Sequence, residues 1–136
     1  MKTLNLKSLV AVLLIATFAL VSCKKENVPP PQASVAGVWE GKYSGNQDPP
    51  SVYFAFDINP NGTMIVKAEN KNNPMPGTGT WTLNGDNFKA IYSYDNNPDF
   101  KLIIAAKYDA VKGELNGSWG EGEVIADDGA FYMNKQ

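Results

Sequence analysis

Apolar and polar residues alternate along most of the chain from residue 35 to residue 136, and no segment has the spacing of an amphipathic helix. The segment "SVYFAFDIN", residues 51–59, places Val52, Phe54 and Phe56 on one face. Successive side chains of a strand point to opposite sides of the sheet, so this pattern predicts strands with one buried face and one solvated face.

Eight such strands are predicted. They span residues 37–44, 51–59, 63–69, 78–83, 88–94, 100–108, 114–119 and 130–135. Asn61-Gly62 and Asn84-Gly85 predict tight hairpin turns with positive φ at both central residues, and the polar runs 70–77 and 95–99 predict longer loops. We therefore expect an all-β fold, a single up-and-down antiparallel β-barrel of about eight strands, because closing the meander leaves no exposed edge. An open sheet is the main alternative, followed by a sandwich.

The first 22 residues have the layout of a secretory signal. Lys2 and Lys7 supply positive charge, and residues 9–21 form an apolar run. This run is shorter than the roughly 18 apolar residues that a membrane-spanning helix needs. We therefore expect residues 1–22 to be a signal peptide.

Leu20-Val21-Ser22-Cys23 closes the signal and resembles the bacterial lipobox. The resemblance implies cleavage before Cys23 and lipidation of this cysteine, so that a lipid anchor at the new N-terminus attaches the protein to the membrane. An ordinary cleaved leader and an uncleaved anchor are the alternatives. The polar, proline-rich residues 23–34 predict a flexible tether to a domain at 35–136. Lys24, where an inner-membrane lipoprotein of this kind usually has Asp, implies the outer membrane, on its periplasmic face or at the cell surface.

Composition limits the chemistry of the domain. The chain has no arginine and no histidine, and residues 33–136 carry 8 lysines against 13 acids, a net charge of −5. Histidine-based catalysis is thereby excluded, and nucleic-acid binding is opposed because phosphates require clustered cations. With a single cysteine, no disulfide can form within the chain.

No enzyme activity, cofactor or metal is predicted. The carboxylate pairs Glu121 with Glu123 and Asp127 with Asp128 fall in a glycine-rich loop without a sign of burial. The run "DINPNG", residues 57–62, matches the first half of a calcium loop, but Ala68 stands where the closing glutamate belongs. We interpret this run as a hairpin.

All three tryptophans lie in a Gly-x-Trp repeat, beginning at Gly37, Gly79 and Gly117. Glycine on the same strand face as the indole makes room for it against a neighbouring backbone, as a curved barrel wall requires. Gly37-Val38-Trp39 near the start of the domain resembles the first-strand motif of the calycins, the lipocalin-like and avidin-like barrels. Lipocalins usually set an arginine of the last strand over that tryptophan, and Lys135 is the basic residue available here.

An eight-stranded barrel is wide enough either to be filled by side chains or to hold one small ligand. The sequence favours a binder of a small apolar or aromatic ligand, with these predicted contacts: Trp39, Tyr43, Trp81, Tyr92, Tyr94 and Trp119. The alternative is an adaptor or inhibitor that binds another protein through its outer face or through the acidic loops "DNNPD" and "EGEVIADDG".

Overall fold

The computed structural model describes residues 34–46, 48–124 and 126–136. The predicted signal peptide, the lipobox-like segment with Cys23 and most of the predicted tether lie outside the described residues. Among the residues that are described, no helix is long and apolar enough to cross a bilayer.

The described chain forms eight strands. They are β1 Gly37–Tyr43, β2 Val52–Ile58, β3 Thr63–Glu69, β4 Met75–Asn84, β5 Asn87–Tyr94, β6 Leu102–Asp109, β7 Glu114–Glu121 and β8 Gly129–Lys135. Each strand pairs antiparallel with the next, and β1 also pairs with β8, so the sheet closes into one up-and-down barrel. The predicted all-β class and closed barrel are confirmed, and the open sheet and the sandwich are ruled out for this part of the chain.

The barrel interior is filled by alternate residues of every strand. The largest side chains with almost no exposed surface are Trp39, Phe54, Phe56, Met64, Val66, Phe88, Ile104, Leu115 and Met133. Burial of each such side chain stabilises the fold by roughly 1.5–3 kcal/mol. Because the strand ladder closes on itself and surrounds its own core, residues 34–136 contain the contacts of a self-supporting domain.

The two ends of the barrel differ in their connections. At the short-turn end, the strands are joined by residues 59–62, 85–86 and 110–113, and the described chain begins there at Ser34. At the long-loop end, the connections are residues 44–51, 70–74, 95–101 and 122–128. Loops carry binding functions more often than tight turns do, so the long-loop end is the first place to look for a site.

The predicted form of both Asn-Gly turns is wrong. In the first, Gly62 has φ 88° but Asn61 does not have a positive φ, and the Gly62 N–H donates to the carbonyl of Asn59 at 3.3 Å. In the second, the turn residues are Gly85 and Asp86, one position later than expected, because Asn84 pairs with Asn87. A hairpin needs positive φ at only one position here, and glycine supplies it.

Several strand boundaries also differ from the prediction, among them those of β4 and β6. Met75, Pro76 and Gly77, expected in a loop, extend β4 and pair with β3, while the carbonyl of Pro76 accepts the N–H of Asp95. Phe100, expected at the start of the sixth strand, instead lies in a turn in which its N–H donates to the carbonyl of Asn97 at 3.2 Å.

Two of the three glycines in the Gly-x-Trp repeats lie where neighbouring strands approach closely. A Cβ on Gly79 would be 2.6 Å from the Cβ of Tyr92, and one on Gly117 would be 2.6 Å from the Cα of Ala106. Real Cβ atoms do not come within 3.0 Å of such neighbours. Packing thus requires glycine at positions 79 and 117, but the nearest atoms belong to the neighbouring strand rather than to the indole, and at Gly37 the nearest atom is the side-chain Cε of Lys135 at 2.9 Å.

The indole of each of the three repeats forms a hydrogen bond to the main chain outside its own strand. Each ring N–H donates to a main-chain carbonyl: Trp39 to Val35 at 2.8 Å, Trp81 to Asn59 at 2.9 Å and Trp119 to Ser44 at 2.7 Å. The Nζ of Lys135, on the last strand, lies 5.8 Å from the ring centroid of Trp39 and donates to the carbonyl of Ser34 at 2.5 Å. The lysine occupies the place that the calycin resemblance gives to a basic residue, and the barrel is compatible with a calycin-like fold.

Candidate functional site

A pocket of about 350 Å³ opens at the long-loop end of the barrel. Its lining consists of Tyr43, Glu69, Tyr92, Tyr94, Asn96, Asn97, Phe100, Leu102, Trp119 and Glu121. These residues come from β1, β3, β5, β6, β7 and the β5–β6 loop. We refer to this concavity as the rim pocket.

Aromatic rings form the walls of the rim pocket. Tyr43 meets Trp119 edge to face with ring centroids 5.9 Å apart, and Tyr92 meets Tyr94 in the same way at 5.4 Å. Phe54, which is fully buried, lies 5.0 Å from the ring of Tyr43 and 6.4 Å from that of Tyr92. The filled core therefore begins beside Phe54, and the pocket is confined to the rim.

Hydrogen bonds hold two of these aromatic side chains in place. The hydroxyl of Tyr43 donates to the carboxylate of Glu69, and the indole N–H of Trp119 donates to the carbonyl of Ser44. Glycine at position 129 permits the latter arrangement, because a Cβ there would lie 2.6 Å from the indole nitrogen of Trp119. Rings fixed in this way give the pocket a shape that exists before any ligand arrives.

Glu69 reaches the rim through an unusual backbone conformation. Its φ is 73°, a value in the left-handed region, and the N–H of Asn70 donates to the carbonyl of Ala68 at 3.0 Å. This is the geometry of a γ-turn, which is rare and strained when a residue other than glycine is central. The strain lies at the residue that places a carboxylate in the pocket.

The charge of the lining comes from its two glutamates. Burial raises the pKa of the phenols of Tyr92 and Tyr94. The pKa of Tyr43 is also raised, mainly by burial and to a smaller extent by its hydrogen bond to Glu69. All three phenols therefore stay neutral over the physiological range. The rim pocket is aromatic with carboxylates at Glu69 and Glu121, and no lysine belongs to its lining.

Other hollows in the described part of the chain have a different character. One of about 550 Å³ at the short-turn end is lined by several charged residues, of which Asp86 pairs with Lys107 at 3.0 Å and Asp109 with Lys112 at 3.7 Å. Two further hollows involve residues of the β4–β7 wall. The rim pocket is the one that combines several aromatic walls with a few polar groups, which is typical of small-molecule sites.

The structure brings four of the six predicted contact residues together in the rim pocket, namely Tyr43, Tyr92, Tyr94 and Trp119. The other two lie elsewhere. Trp39 is completely buried against Tyr108, and Trp81 stacks on Phe88 with its indole N–H directed at the β2–β3 turn. Trp39 belongs to the filled core and Trp81 is partly buried against it, and neither belongs to the lining of the rim pocket.

The carboxylates of the pocket were not predicted as contacts. Glu121 has the same strand parity as Trp119, so extending the alternation of that strand by two residues points to it. Glu69 has outward parity on β3, and its position in the lining depends on the γ-turn, which has no signal in the sequence. Phe100 belongs to the lining and lies in the turn at residues 97–100, at the rim of the barrel.

The other acidic motifs are engaged in local structure. Asp57, from the calcium-like run, pairs with Lys67 at 2.8 Å, and the side-chain oxygen of Asn61 accepts the N–H of Thr63 at 3.1 Å. Asp128 accepts the N–H of Glu121 at 2.6 Å and thereby fastens the β7–β8 loop. Within residues 34–46, 48–124 and 126–136, no group of three or more histidine, cysteine, aspartate or glutamate side chains is arranged to hold a metal ion.

Both acidic loops of the sequence, residues 95–99 and 121–129, lie at the long-loop end beside the rim pocket. In comparisons with known proteins, no family model matches this chain and no curated protein is significantly similar to it.

Proposed function

We propose that this protein is a lipid-anchored, non-enzymatic protein of the bacterial envelope that binds a small, partly apolar or aromatic ligand in the rim pocket of a calycin-like barrel. The observation that carries the proposal is the pocket itself, an aromatic concavity of about 350 Å³ at one end of a barrel whose remaining interior is filled.

The composition of the pocket supports binding of a small molecule. Its volume falls in the range of about 300–1,000 Å³ that is usual for ligand sites, and half of its lining residues are aromatic. The side-chain amides of Asn96 and Asn97 and the carboxylates of Glu69 and Glu121 are the polar groups that would orient a ligand. Four long loops surround the opening, as in sites that accept ligands from solution.

The beginning of the described chain takes no part in the pocket. The described chain starts at Ser34 at the short-turn end, and the rim pocket opens at the opposite end. Attachment of the barrel through Ser34 therefore leaves the residues of the pocket lining free for a ligand.

Ligand binding is tested with residues 34–136 and a panel of small aromatic and apolar molecules of different charge, followed by tryptophan emission and by calorimetry. We expect at least one member to bind and to change the emission. The change should disappear in Trp119→Phe and persist in Trp81→Phe, because only the first indole lines the pocket. A panel with no binder would count heavily against the proposed function.

A matched pair of tyrosine variants locates the site. Tyr94 lines the rim pocket, whereas Tyr132 lies on the outer surface of β8. Tyr94→Ala should weaken binding at least tenfold and Tyr132→Ala should leave it unchanged. Equal effects of the two substitutions would place binding outside the rim pocket.

The anchor is tested separately in cells that produce the full chain. A fatty-acid analogue supplied to the cells should label the protein, and Cys23→Ala should abolish labelling and release the protein from the membrane fraction. Labelling that survives Cys23→Ala would refute the lipidation site without affecting the ligand proposal.

A further inference from the structure

The charges around the rim pocket are predominantly negative. The lining has carboxylates at Glu69 and Glu121 and no lysine. The four loops of the long-loop end add six acids, and their two lysines are Lys71 and Lys101. The unequal numbers make the opening of the pocket electronegative, and such a field raises the local concentration of cations and their rate of arrival.

Both loop lysines are engaged away from the pocket lining. The Nζ of Lys71 pairs with the carboxylate of Glu40 at 2.5 Å, and that of Lys101 donates to the carbonyl of Pro98 at 3.0 Å. Neither belongs to the residues that line the pocket. An anionic ligand such as a fatty acid would therefore meet two carboxylates without a counter-charge.

The walls of the pocket favour the same sign of ligand charge. Tyr43, Tyr92, Tyr94, Phe100 and Trp119 contribute aromatic rings to the lining. The faces of such rings attract ammonium groups through their quadrupoles, and rings arranged as a cage around a cation are a recurrent way to bind quaternary ammonium ligands.

The carboxylates are positioned to pair with such a ligand. Glu69 has the Tyr43 hydroxyl as a hydrogen-bond donor, and the side chain of Glu121 takes part in none of the ion pairs of the described residues. Both side chains are exposed at the rim, so an ammonium group between them and the rings would remain partly hydrated. This avoids the large desolvation cost that a fully buried ion pair carries.

We propose that the ligand of the rim pocket is a small organic cation, an ammonium group on a short apolar or aromatic skeleton, held between the aromatic walls and the carboxylates of Glu69 and Glu121. This inference rests on the proposed ligand-binding function and specifies the class of its ligand.

The inference is tested with probes that share one skeleton and differ in charge. They are 2-phenylethylamine, which is cationic at neutral pH, 2-phenylethanol, which is neutral, and phenylacetate, which is anionic. A second pair is choline and its neutral isostere 3,3-dimethylbutan-1-ol. Calorimetry with residues 34–136 should show each cation binding about tenfold or more tightly than its neutral partner, and phenylacetate should not bind.

Glutamine variants identify the source of the preference. Glu69→Gln and Glu121→Gln remove charge with little change in shape, and each should reduce the preference for the cation while affinity for 2-phenylethanol is retained. Glu114→Gln, at the short-turn end, is the control and should behave as the parent protein. Circular dichroism of each variant reports whether the barrel is intact, and Glu121→Gln provides an independent measurement if the strained Glu69 position does not tolerate substitution.

The possible outcomes separate the two proposals. Equal binding of the cation and its neutral partner, or tighter binding of the neutral or anionic probe, would overturn the organic-cation inference and leave the proposed ligand-binding function standing. A cation preference that survives both glutamine variants would also overturn it, since the rim carboxylates would then not be its source. Failure of every probe to bind would contradict both proposals.

Discussion

Replacement of Gly41 by alanine tests the closure of the barrel. Gly41 lies on the inner face of β1, between Phe54 on β2 and Met133 on β8. A Cβ at this position would be 2.7 Å from the Cα of Met133 and still closer to the carbonyl oxygen of Tyr132. These are backbone atoms, so relief requires β1 and β8 to move apart at the point where the first and last strands meet.

The expected loss of stability follows from two costs. Forcing an additional carbon into a packed interior costs about 1–3 kcal/mol, and a ladder hydrogen bond lost between the separating strands costs on the order of 1 kcal/mol more. We therefore expect Gly41→Ala to reduce the free energy of unfolding by about 3 kcal/mol. That corresponds to a fall of Tm by about 12 °C or more for a domain of this size.

The control is Gly45→Ala, four residues further along the chain. A Cβ on Gly45 would have no neighbour within 4 Å, and Gly45 does not have a positive φ. Alanine there should be neutral or stabilise by a few tenths of a kcal/mol, because it restricts the unfolded chain. Urea unfolding of both variants, followed by circular dichroism, measures the difference. If Gly41→Ala were as stable as Gly45→Ala, β1 and β8 could not be packed as closely as the closed barrel requires.

Three further predictions concern backbone strain and pH. The free energy of unfolding in urea should be at least about 1 kcal/mol higher for Glu69→Gly than for Glu69→Ala, because only glycine relieves the strain of the positive φ and both variants lack the carboxylate. Equal stability of the two variants would argue against strain at this position. Burial raises the pKa of Tyr92, so the folded state holds the phenol proton more tightly than the unfolded state. The resulting contribution to the stability of the fold is complete below about pH 10, the ordinary pKa of tyrosine, and is lost as pH rises above that value. Tyrosinate absorbance of such buried phenols should rise only as the barrel unfolds, and ionisation in the folded state would contradict this. The backbone N–H groups of Lys112 and Val111, that of Lys112 first, lower the pKa of Asp109 by donating to its carboxylate. The carboxylate therefore contributes to the stability of the folded state above about pH 4, and this contribution is lost as pH falls through the lower pKa of the folded state. Asp109→Ala should lose less resistance to urea on acidification than the parent protein, and an equal loss would show that Asp109 does not contribute.

The sequence was sufficient to predict the architecture because alternation and turn residues point to the same fold. The predicted strand 63–69 coincides with β3, where Met64, Val66 and Ala68 are buried and the residues between them are more exposed. Its boundaries are clear because Gly62 ends the preceding turn and the polar run that begins at Asn70 follows. The prolines at 74 and 76 predicted a loop at residues 75–77. These residues instead extend β4, because their pairing with β3 outweighs the local preference of proline.

The site was less predictable because it depends on how the strands end. Period-two alternation gives the parity of Tyr43, Tyr92, Tyr94 and Trp119, but it does not tell which end of the barrel an inward residue occupies or whether that end is closed. Trp39 has the same parity as Tyr43, and only the three-dimensional register separates a core residue from one of the pocket.

The long-loop end also contains features that lower the stability of the fold. Tyr94 and Trp119 remain only partly buried there, although aromatic side chains of their size would stabilise a filled barrel further. Glu69 adds a backbone strain of about 1–3 kcal/mol at the same rim, and the acids of the surrounding loops repel one another. At the other end, short turns close the ladder, and the side chains of Trp39 and Phe88 are fully buried. Departures from the most stable arrangement are expected at functional sites, because selection for binding can maintain them against their cost in stability. Their concentration at one rim, around one aromatic pocket, therefore supports ligand binding at that rim more strongly than the barrel fold alone, which serves many functions.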